Sequence, residues 1–535
     1  MKKTSRSVLG NAFIVGAMTF ISRIGGLVRE VLMAHFFGTN LLKSSFDVAF
    51  KIPNLFRRLF GEGALSTAFI PIFTEVRETQ GADAANRYAA RCAGLLIAIL
   101  SLAVGVGILL TYPIASCLDE GSTWATILPL LRIMLPYALL ICLAALVMGI
   151  LNALHSFTIS ALAPAFLNLV CILALVVICP LFTAPGDQET RIRIVAWSIV
   201  FAGAVQVLVQ LPALRSHGVP IRIAFNRRIT PEIKRTAFLM FPMVISGGIT
   251  QINVILDGII ALYASIQGPA ALQYAERLVY LPLGLIGNAY GTVLLPVLSS
   301  FAAKKDYESM EETINRSLRN ITLITIPAAV GLVVLAFPII SFIYQTGHFD
   351  SESVRFTAYA LIGYGPGLLF FALYKAIVPP FYALQDAKTP MRVGLYYVGL
   401  NFVLNITFVC LLPHDWKHVG IALATVVCSL LNCTTLLAIL RRRLPGTDPK
   451  SILRPILQAF VPATLMALAS YETETFLSAF LSPHMHIKVA LAGSMGGAII
   501  IALVVYLGCL RLFYPAMLRE VVSDFRNRKR KHIAK

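Results

Sequence analysis

The chain has 535 residues, of which 57% are hydrophobic and only 13% are charged, and its formal net charge is +19. Soluble domains carry about 25% charged residues, so the composition excludes an ordinary soluble protein and indicates a membrane protein. The excess of Lys and Arg then indicates positively charged loops on the cytoplasmic side rather than a nucleic-acid partner, and we expect no nucleic acid to bind.

Apolar segments of membrane-spanning length follow one another along the chain, because a bilayer core of roughly 30 Å needs about 20 helical residues. Alternating segments of about ten residues, typical of outer-membrane barrels, are absent from the sequence. The sequence therefore predicts an all-α polytopic membrane protein with about fourteen transmembrane helices. The predicted spans are residues 8–37, 43–74, 88–113, 124–151, 158–183, 191–214, 232–264, 269–302, 313–344, 353–384, 391–412, 418–440, 452–479 and 486–514.

Basic residues cluster in the loops that follow even-numbered spans. Examples are Arg441, Arg442 and Arg443 after the twelfth span and the run of five basic residues at 526–531. The opposite loops, such as 116–123, are poor in Lys and Arg. Because positive loops remain in the cytoplasm, both termini are predicted to be cytoplasmic. No cleavable signal peptide is apparent, so we expect the first helix to be retained.

A long basic connector at 216–235 divides the predicted spans into six and eight. Transporters are commonly built from two helical bundles around a central site. The sequence therefore predicts an N-lobe at 1–215, a C-lobe at 236–445, a further helix pair at 446–515 and a basic cytoplasmic tail at 516–535.

Charged residues lie inside the first, second and eighth spans, where each costs roughly 2.5–3.5 kcal/mol at the helix centre and normally faces a protein interior or a wet cavity. An ideal helix would place Asp47, Lys51, Arg58 and Glu62 on one stripe. Pro53 can kink that helix, so ideal angles do not hold across it. The charged residues are Arg23, Arg29 and Glu30 in the first span, Asp47, Lys51, Arg57, Arg58 and Glu62 in the second, and Glu276 and Arg277 in the eighth.

One interpretation is that these charges pair internally, Arg29 with Glu30 or Asp47, Arg58 with Glu62, and Arg277 with Glu276. Basic residues outnumber acidic ones in these spans, however, which predicts a central cationic cavity that binds an anion. Most of the basic residues are arginines, whose planar guanidinium binds phosphate oxygens in a bidentate manner. A phosphate or pyrophosphate ligand is therefore the specific hypothesis.

A second polar group comprises Asp257 in the seventh span and Asn401 and Asn405, one helical turn apart, in the eleventh. If these helices touch, the oxygen atoms could hold a small hard cation such as Na⁺. The alternative is a hydrogen-bonded contact between helices. We expect no other cofactor.

Five segments together resemble the MurJ (MviN) family of lipid II flippases, within the MOP superfamily that also contains the MATE multidrug exporters. The resemblance implies a MATE-like core of twelve helices in two lobes, and two C-terminal helices that form a groove for a lipid tail. It implies a transporter, not an enzyme. The segments are SRIGGLVRE (22–30), VAFKIPNLFRRLFGEGALSTAFIPIF (48–73), YAERLVYLPLGLIGNAYGTVLLPVLS (274–299), YQTGHFD (344–350) and FYALQDAKTP (381–390).

The function implied by the resemblance is transfer of lipid II, an undecaprenyl-pyrophosphate-linked disaccharide-pentapeptide, to the outer leaflet of the bacterial inner membrane for peptidoglycan synthesis. The implied partners are lipid II, membrane lipids and, as further candidates, cell-wall synthesis or division proteins. Family members often have Asp where this chain has Ser44, which leaves the partner of Arg29 open. By resemblance, Arg23, Arg29, Arg57 and Arg277 engage the pyrophosphate, Lys51, Asn54 and Glu62 lie near the cavity or its gates, and Asp257, Asn401, Asn405 and Thr425 form a sodium site.

Two other functions stay open at this point. A MATE-like exporter of small molecules would more naturally have an aromatic and acidic pocket suited to organic cations. A membrane-embedded enzyme acting on polyprenyl phosphates would need a base or metal-binding carboxylates at a membrane face, and the acidic loops carry no such motif. No GxxxxGK[ST] motif is present, so energy would come from an ion gradient, the membrane potential or the substrate gradient.

Overall fold

The computed structural model describes residues 2–119, 121–220, 223–225 and 230–515, and these residues form helices and no β-strand. A π-helical segment, Arg57–Ala64, joins α2 to α3, another, Ala174–Ile178, joins α7 to α8, and a short 3₁₀ turn, His414–Trp416, precedes α17. The α-helices are α1 (Lys2–Phe37), α2 (Leu41–Phe56), α3 (Leu65–Gln80), α4 (Ala82–Ser116), α5 (Thr123–Met134), α6 (Tyr137–Ala153), α7 (Phe157–Leu173), α8 (Cys179–Phe182), α9 (Gln188–Ser216), α10 (Pro231–Ala264), α11 (Gly268–Lys304), α12 (Tyr307–Val334), α13 (Ala336–Tyr344), α14 (Ser351–Tyr364), α15 (Gly367–Ala383), α16 (Lys388–Leu411), α17 (Lys417–Arg443), α18 (Lys450–Leu481) and α19 (Ile487–Phe513).

The predicted all-α membrane fold is confirmed, and each predicted span coincides with one helix or with a consecutive run of helices. Within the described residues, nine helical segments are long and apolar enough to cross a membrane, with α5 and α6 counted as one and α7 and α8 as another. The number is ten if α14 and α15, bent by 42° at their junction, also count as one. In several of the other helices, including α1, α10 and α11, some side chains lie outside the described residues. The number fourteen therefore stays a prediction.

Several helices begin before the apolar segment that predicts them, because a polar side chain caps the first turn. Asp187, Asp306 and Asp350 each accept a hydrogen bond from the backbone N–H three residues later. Such caps satisfy donors that a helix start otherwise leaves unpaired. Hydrogen bonds from Thr190 and Ser309 also hold the pKa values of Asp187 and Asp306 below their usual range.

The chain divides into two compact units, Met1–Ala270 with Thr346–His348, and Ala271–Gln345 with Phe349–Lys535. Helix α10 therefore packs with the first unit although it follows the basic connector. The predicted lobe boundary at 216–235 separates two bodies that would move during transport. A division by packing does not test such movement, so the boundary stays a prediction. The predicted tail at 516–535 lies outside the described residues.

Each unit has its own apolar packing. In the first unit, one core surrounds Met134 and Tyr137, and another surrounds Phe69 and Phe73. In the second, α18 and α19 pack together over a core that includes Met466 and Tyr506. The Tyr506 hydroxyl donates a hydrogen bond to the Leu323 carbonyl oxygen of α12, which fixes this helix pair against the rest of its unit.

Candidate functional site

A buried network of charges joins α1 to the start of α2. Lys43 Nζ lies 2.5 and 2.6 Å from the two carboxylate oxygens of Asp47 and 3.6 Å from Glu30 Oε2. Glu30 Oε1 also accepts a 2.6 Å hydrogen bond from Arg29 Nη2. Glu30, Lys43 and Asp47 are at most 3% exposed. Of the partners that the sequence left open for Arg29, the structure pairs it directly with Glu30.

Lys43 was not among the predicted site residues. It stands at the first position of the second predicted span, where a lysine normally extends its amine to the membrane surface. The available signal was its position four residues before Asp47, which places both on one helix face. Lys43 is nevertheless fully buried, because Glu30 approaches it from α1.

The polar stripe predicted along the second span does not continue as an ideal α-helix. Pro53 has no N–H to donate, and the winding changes to a π-helix at Arg57. Arg57 Nε donates a 2.7 Å hydrogen bond to Asn54 Oδ1, whereas the exposed Arg58 lies 3.3 Å from Gln251 Oε1 of α10. The side chain of Glu62 lies outside the described residues, so its pairing with Arg58 stays a prediction.

Lys51 lies against α10 at Gly258. A Cβ atom built on Gly258 would lie 2.6 Å from Lys51 Nζ, so a larger residue there would require the lysine to shift. The neighbouring Asp257 accepts a 3.2 Å hydrogen bond from Asn253 Nδ2. The structure therefore brings Lys51, which the resemblance places near the cavity or its gates, to the helix that carries the carboxylate of the predicted sodium site.

Arg23 is exposed on α1, on a stretch that packs closely against α7. Asn168 Nδ2 donates a 2.9 Å hydrogen bond to the Ser22 carbonyl oxygen, and a Cβ on Gly25 would lie 3.4 Å from the Cβ of Asn168. Small residues in the SRIGG sequence thus allow a close helix contact, which leaves Arg23 on the exposed side of the helix.

In the second unit, an aromatic cluster fixes the helix turn that precedes Arg277. Tyr274 is fully buried, and its ring centroid lies 4.9 Å from that of Tyr344 and 5.5 Å from that of Phe349. The segments YAER and YQTGHFD therefore meet in space. Glu276 and Arg277 are partly buried on the same helix.

Asn401 and Asn405 are buried on α16, and Asn405 Nδ2 donates a 3.1 Å hydrogen bond to Asn401 Oδ1. Thr425 Oγ1 donates to the Ile421 carbonyl oxygen on α17. These three residues belong to the second unit, whereas Asp257 belongs to the first. The sodium site that would combine them stays a prediction.

The family model described as "Lipid II flippase MurJ" matches residues 33–491. The chain belongs to this family. The family resemblance is thereby confirmed, and it makes the protein a transporter rather than an enzyme. The match includes Lys51, Arg57 and Arg277, whereas Arg23 and Arg29 precede it.

Curated relatives and solved structures agree with this assignment. The chain is 38% identical over 447 residues to "Probable lipid II flippase MurJ" of Rhizobium tropici, covering 82% of this chain and 81% of the relative. It is 34% identical over 437 residues to "Lipid II flippase MurJ" of Burkholderia cenocepacia, covering 80% and 83%. A solved structure titled "Lipid II flippase MurJ, inward closed conformation" matches with a TM-score of 0.75 and 25% identity over 95% of this chain and all of that one.

An inward-facing MATE transporter of the MOP superfamily matches with a TM-score of 0.66 over 82% of this chain and 99% of that one. Because the two chains are only 13% identical, this match shows a common fold alone. The predicted MATE-like fold is confirmed by it.

Proposed function

We propose that the protein carries lipid II from the cytoplasmic to the outer leaflet of the bacterial inner membrane by alternating access of two lobes. Membership of the family supports this function, as do the relatives whose names specify a lipid II flippase over about four fifths of the chain. The positively charged loops support an orientation with both termini in the cytoplasm.

The observation that best supports binding of an anionic ligand is the buried charge network of α1 and α2. Lys43 is sequestered between Glu30 and Asp47, and only 1% of its side chain is exposed. Arg29, in contact with the same Glu30, keeps 15% of its side chain exposed. Lys43 therefore holds the two carboxylates in place, while Arg29 keeps a part of its side chain exposed.

In the proposed site, Arg29 acts together with Arg23, Lys51, Asn54, Arg57 and Arg277 on the pyrophosphate of lipid II. Fixed guanidinium groups bind phosphate oxygens through paired, charge-assisted hydrogen bonds. They also lower the cost of bringing this anion into the low-dielectric interior. Glu30, Asp47, Arg58, Glu62 and Glu276 are the proposed charge partners and gating residues.

The lipid tail requires an apolar path, and α18 and α19 line an open groove of about 530 Å³. We propose that the prenyl chain lies along this groove while the head group crosses. Its lining residues are Glu472, Thr473, Phe476, Leu477, Gly497, Ile500 and Ile501.

Na⁺ is the proposed coupling ion, held by Asp257 with Asn401, Asn405 and Thr425. Oxygen ligands of this kind suit hard cations. The alternative source of energy is the membrane potential acting on the arginines of the site, at about 2.3 kcal/mol per charge per 100 mV.

The function is tested by complementation of a bacterium depleted of its own lipid II flippase. Wild type, Arg29→Ala and Arg277→Ala are compared at matched membrane expression, and lipid II exposed on the outer leaflet is quantified. Arg235→Ala is the matched control, because that arginine is exposed and bonds only to the exposed Glu75 in the described residues. We expect wild type and the control to restore growth and exposed lipid II, and both site variants to fail.

Rescue by all variants would leave the flippase function intact but show that these arginines do not form its site. Failure of well-expressed wild type would contradict lipid II as the substrate. A drug-efflux measurement on the same membranes would then test the exporter alternative.

A further inference from the structure

A groove of about 520 Å³ lies in the second unit between the last turns of α17 and the start of α18. Its lining combines apolar side chains with two arginines. None of its lining residues belongs to the proposed lipid II or sodium site. The lining residues are Thr434, Leu437, Ala438, Arg441, Arg442 and Pro449.

The connection between α17 and α18, which contributes Pro449 to the groove, is held in place by α12. Glu311 Oε1 accepts a 2.9 Å hydrogen bond from the Gly446 backbone N–H, and Asn315 Nδ2 donates a 2.8 Å bond to the Gly446 carbonyl oxygen. Asn315 Oδ1 also accepts a 2.9 Å bond from the Asp448 N–H. A Cβ on Gly446 would collide with the Glu311 carboxylate, so a larger residue there would require this carboxylate to move. The groove is therefore preformed, and a ligand would not have to order it.

Three consecutive arginines end α17, and they differ in their partners. Arg443 Nη1 lies 2.6 Å from Asp386 Oδ2 in the loop before α16. Arg441 and Arg442 are exposed and form no ion pair within the described residues. The nearby Asp448 carboxylate accepts a hydrogen bond from the Lys450 backbone N–H at the start of α18. Two arginines that line the groove therefore have no counterion within the described residues.

The position of these arginines on the helix favours a lipid over a soluble anion. Leu430, Thr434, Ala438 and Arg442 follow one another at intervals of four residues, so they share one face of a helix that is apolar enough to span the membrane. All four are exposed, so this face can meet lipid. An apolar stripe that ends in two cations at the membrane boundary matches an acyl chain followed by a phosphate.

We propose that this groove binds an anionic phospholipid of the surrounding bilayer. The phosphate pairs with Arg441 and Arg442, and an acyl chain lies along Thr434 and Ala438. Such a lipid would stabilise the junction of α17 with the C-terminal helix pair, α18 and α19. The proposal does not depend on the identity of the transported substrate.

The test uses the full-length protein in phosphatidylcholine vesicles that contain a minor fraction of phosphatidylglycerol with a photoreactive head group. After illumination, mass spectrometry quantifies labelled peptides that cover 430–449. We expect Arg441→Gln/Arg442→Gln to reduce this labelling about tenfold, because basic residues at the membrane surface contribute additively to the binding of anionic lipid. The control Lys388→Gln/Arg392→Gln removes two exposed basic side chains from the first turns of α16, and labelling of 430–449 should stay unchanged.

Competition on the wild-type protein tests the proposal without any variant. Excess unlabelled phosphatidylglycerol should displace the label from 430–449, whereas excess phosphatidylcholine should not. Equal displacement by phosphatidylcholine would overturn the proposal, as would an equal loss of labelling in the control variant. Displacement by inorganic phosphate would identify a site for a soluble anion instead and would also overturn it.

Discussion

Among single residues, Lys43 has a structural role that its position in the sequence does not indicate. Predictions for charged residues in membrane helices start from how deep each lies in an apolar segment, and Lys43 lies at the very edge of its segment. Its full burial follows from the approach of Glu30 on another helix. The sequence placed Arg29, Glu30 and Asp47 inside membrane spans but did not predict Lys43 as a site residue. The contact of Lys43 with Glu30 could not be assigned, because it joins two helices.

Replacement of Lys43 by methionine should destabilise the protein strongly. The variant leaves Glu30 and Asp47 buried with fewer partners, and breaking a buried ion pair in this way costs about 3–5 kcal/mol. We expect a clearly lower unfolding temperature of the detergent-solubilised protein in a thermal-unfolding measurement.

Two further variants make this test specific. Lys43→Met/Asp47→Leu removes one charge of each sign and should recover most of the lost stability. Lys234→Met removes an exposed lysine of α10 and should leave the unfolding temperature unchanged. A Lys43→Met protein as stable as wild type would show that the buried network is not needed for stability.

Among the secondary-structure elements, the second predicted span departs most from an ideal helix. It consists of α2, the π-helical segment Arg57–Ala64 and α3 in direct succession. Pro53 predicted an interruption, because proline removes a backbone hydrogen bond. The π-helical form of the interruption was not predictable, since it is stabilised by packing of this segment against α6 and α10. π-helical segments are rare and frequently mark functional sites.

Pro53→Ala tests whether this winding serves transport. The alanine restores the missing N–H and favours a regular α-helix, which would move Arg57 and Arg58 away from Asn54 and Gln251. We expect an unchanged or higher unfolding temperature, together with a fall of about tenfold in outward exposure of lipid II, because small displacements of binding groups have large kinetic effects. Pro71→Ala, at an exposed position of α3, is the control. Normal transport by Pro53→Ala would mean that the π-helical segment has no part in it.

In the whole molecule, packing does not follow chain order. Residues 346–348 belong to the first unit, although α13 and α14 on either side belong to the second. The His348 backbone N–H donates a 2.9 Å hydrogen bond to the His35 carbonyl oxygen near the end of α1. Gly347 has a φ of +56°, and a Cβ there would collide with the same oxygen. The YQTGHFD segment therefore supplies Tyr344 and Phe349 to one unit and this turn to the other.

Gly347→Ala should open this contact. An alanine at positive φ costs about 1–2 kcal/mol, and its methyl group would displace the His35 carbonyl oxygen. We expect amide hydrogen exchange at His348, measured by mass spectrometry on a peptide covering 344–350, to become about tenfold faster. Gly121→Ala, where a Cβ has open space, should leave this peptide unaffected. Unchanged exchange in Gly347→Ala would contradict the proposed tie between 346–348 and α1.

The sequence by itself determined the membrane location, the helical fold, the order of the helices and the family. Hydropathy and charge are properties of the residues themselves, and the cost of a charge in lipid does not depend on its partners. Tertiary structure alone decided that Glu30 of α1 lies beside Lys43 of α2, that Lys51 contacts α10 at Gly258, that α10 packs with the helices before the connector and that residues 346–348 pack with α1. Each of these depends on contacts between residues distant in the chain or on different helices, and no local pattern of residue types specifies such contacts.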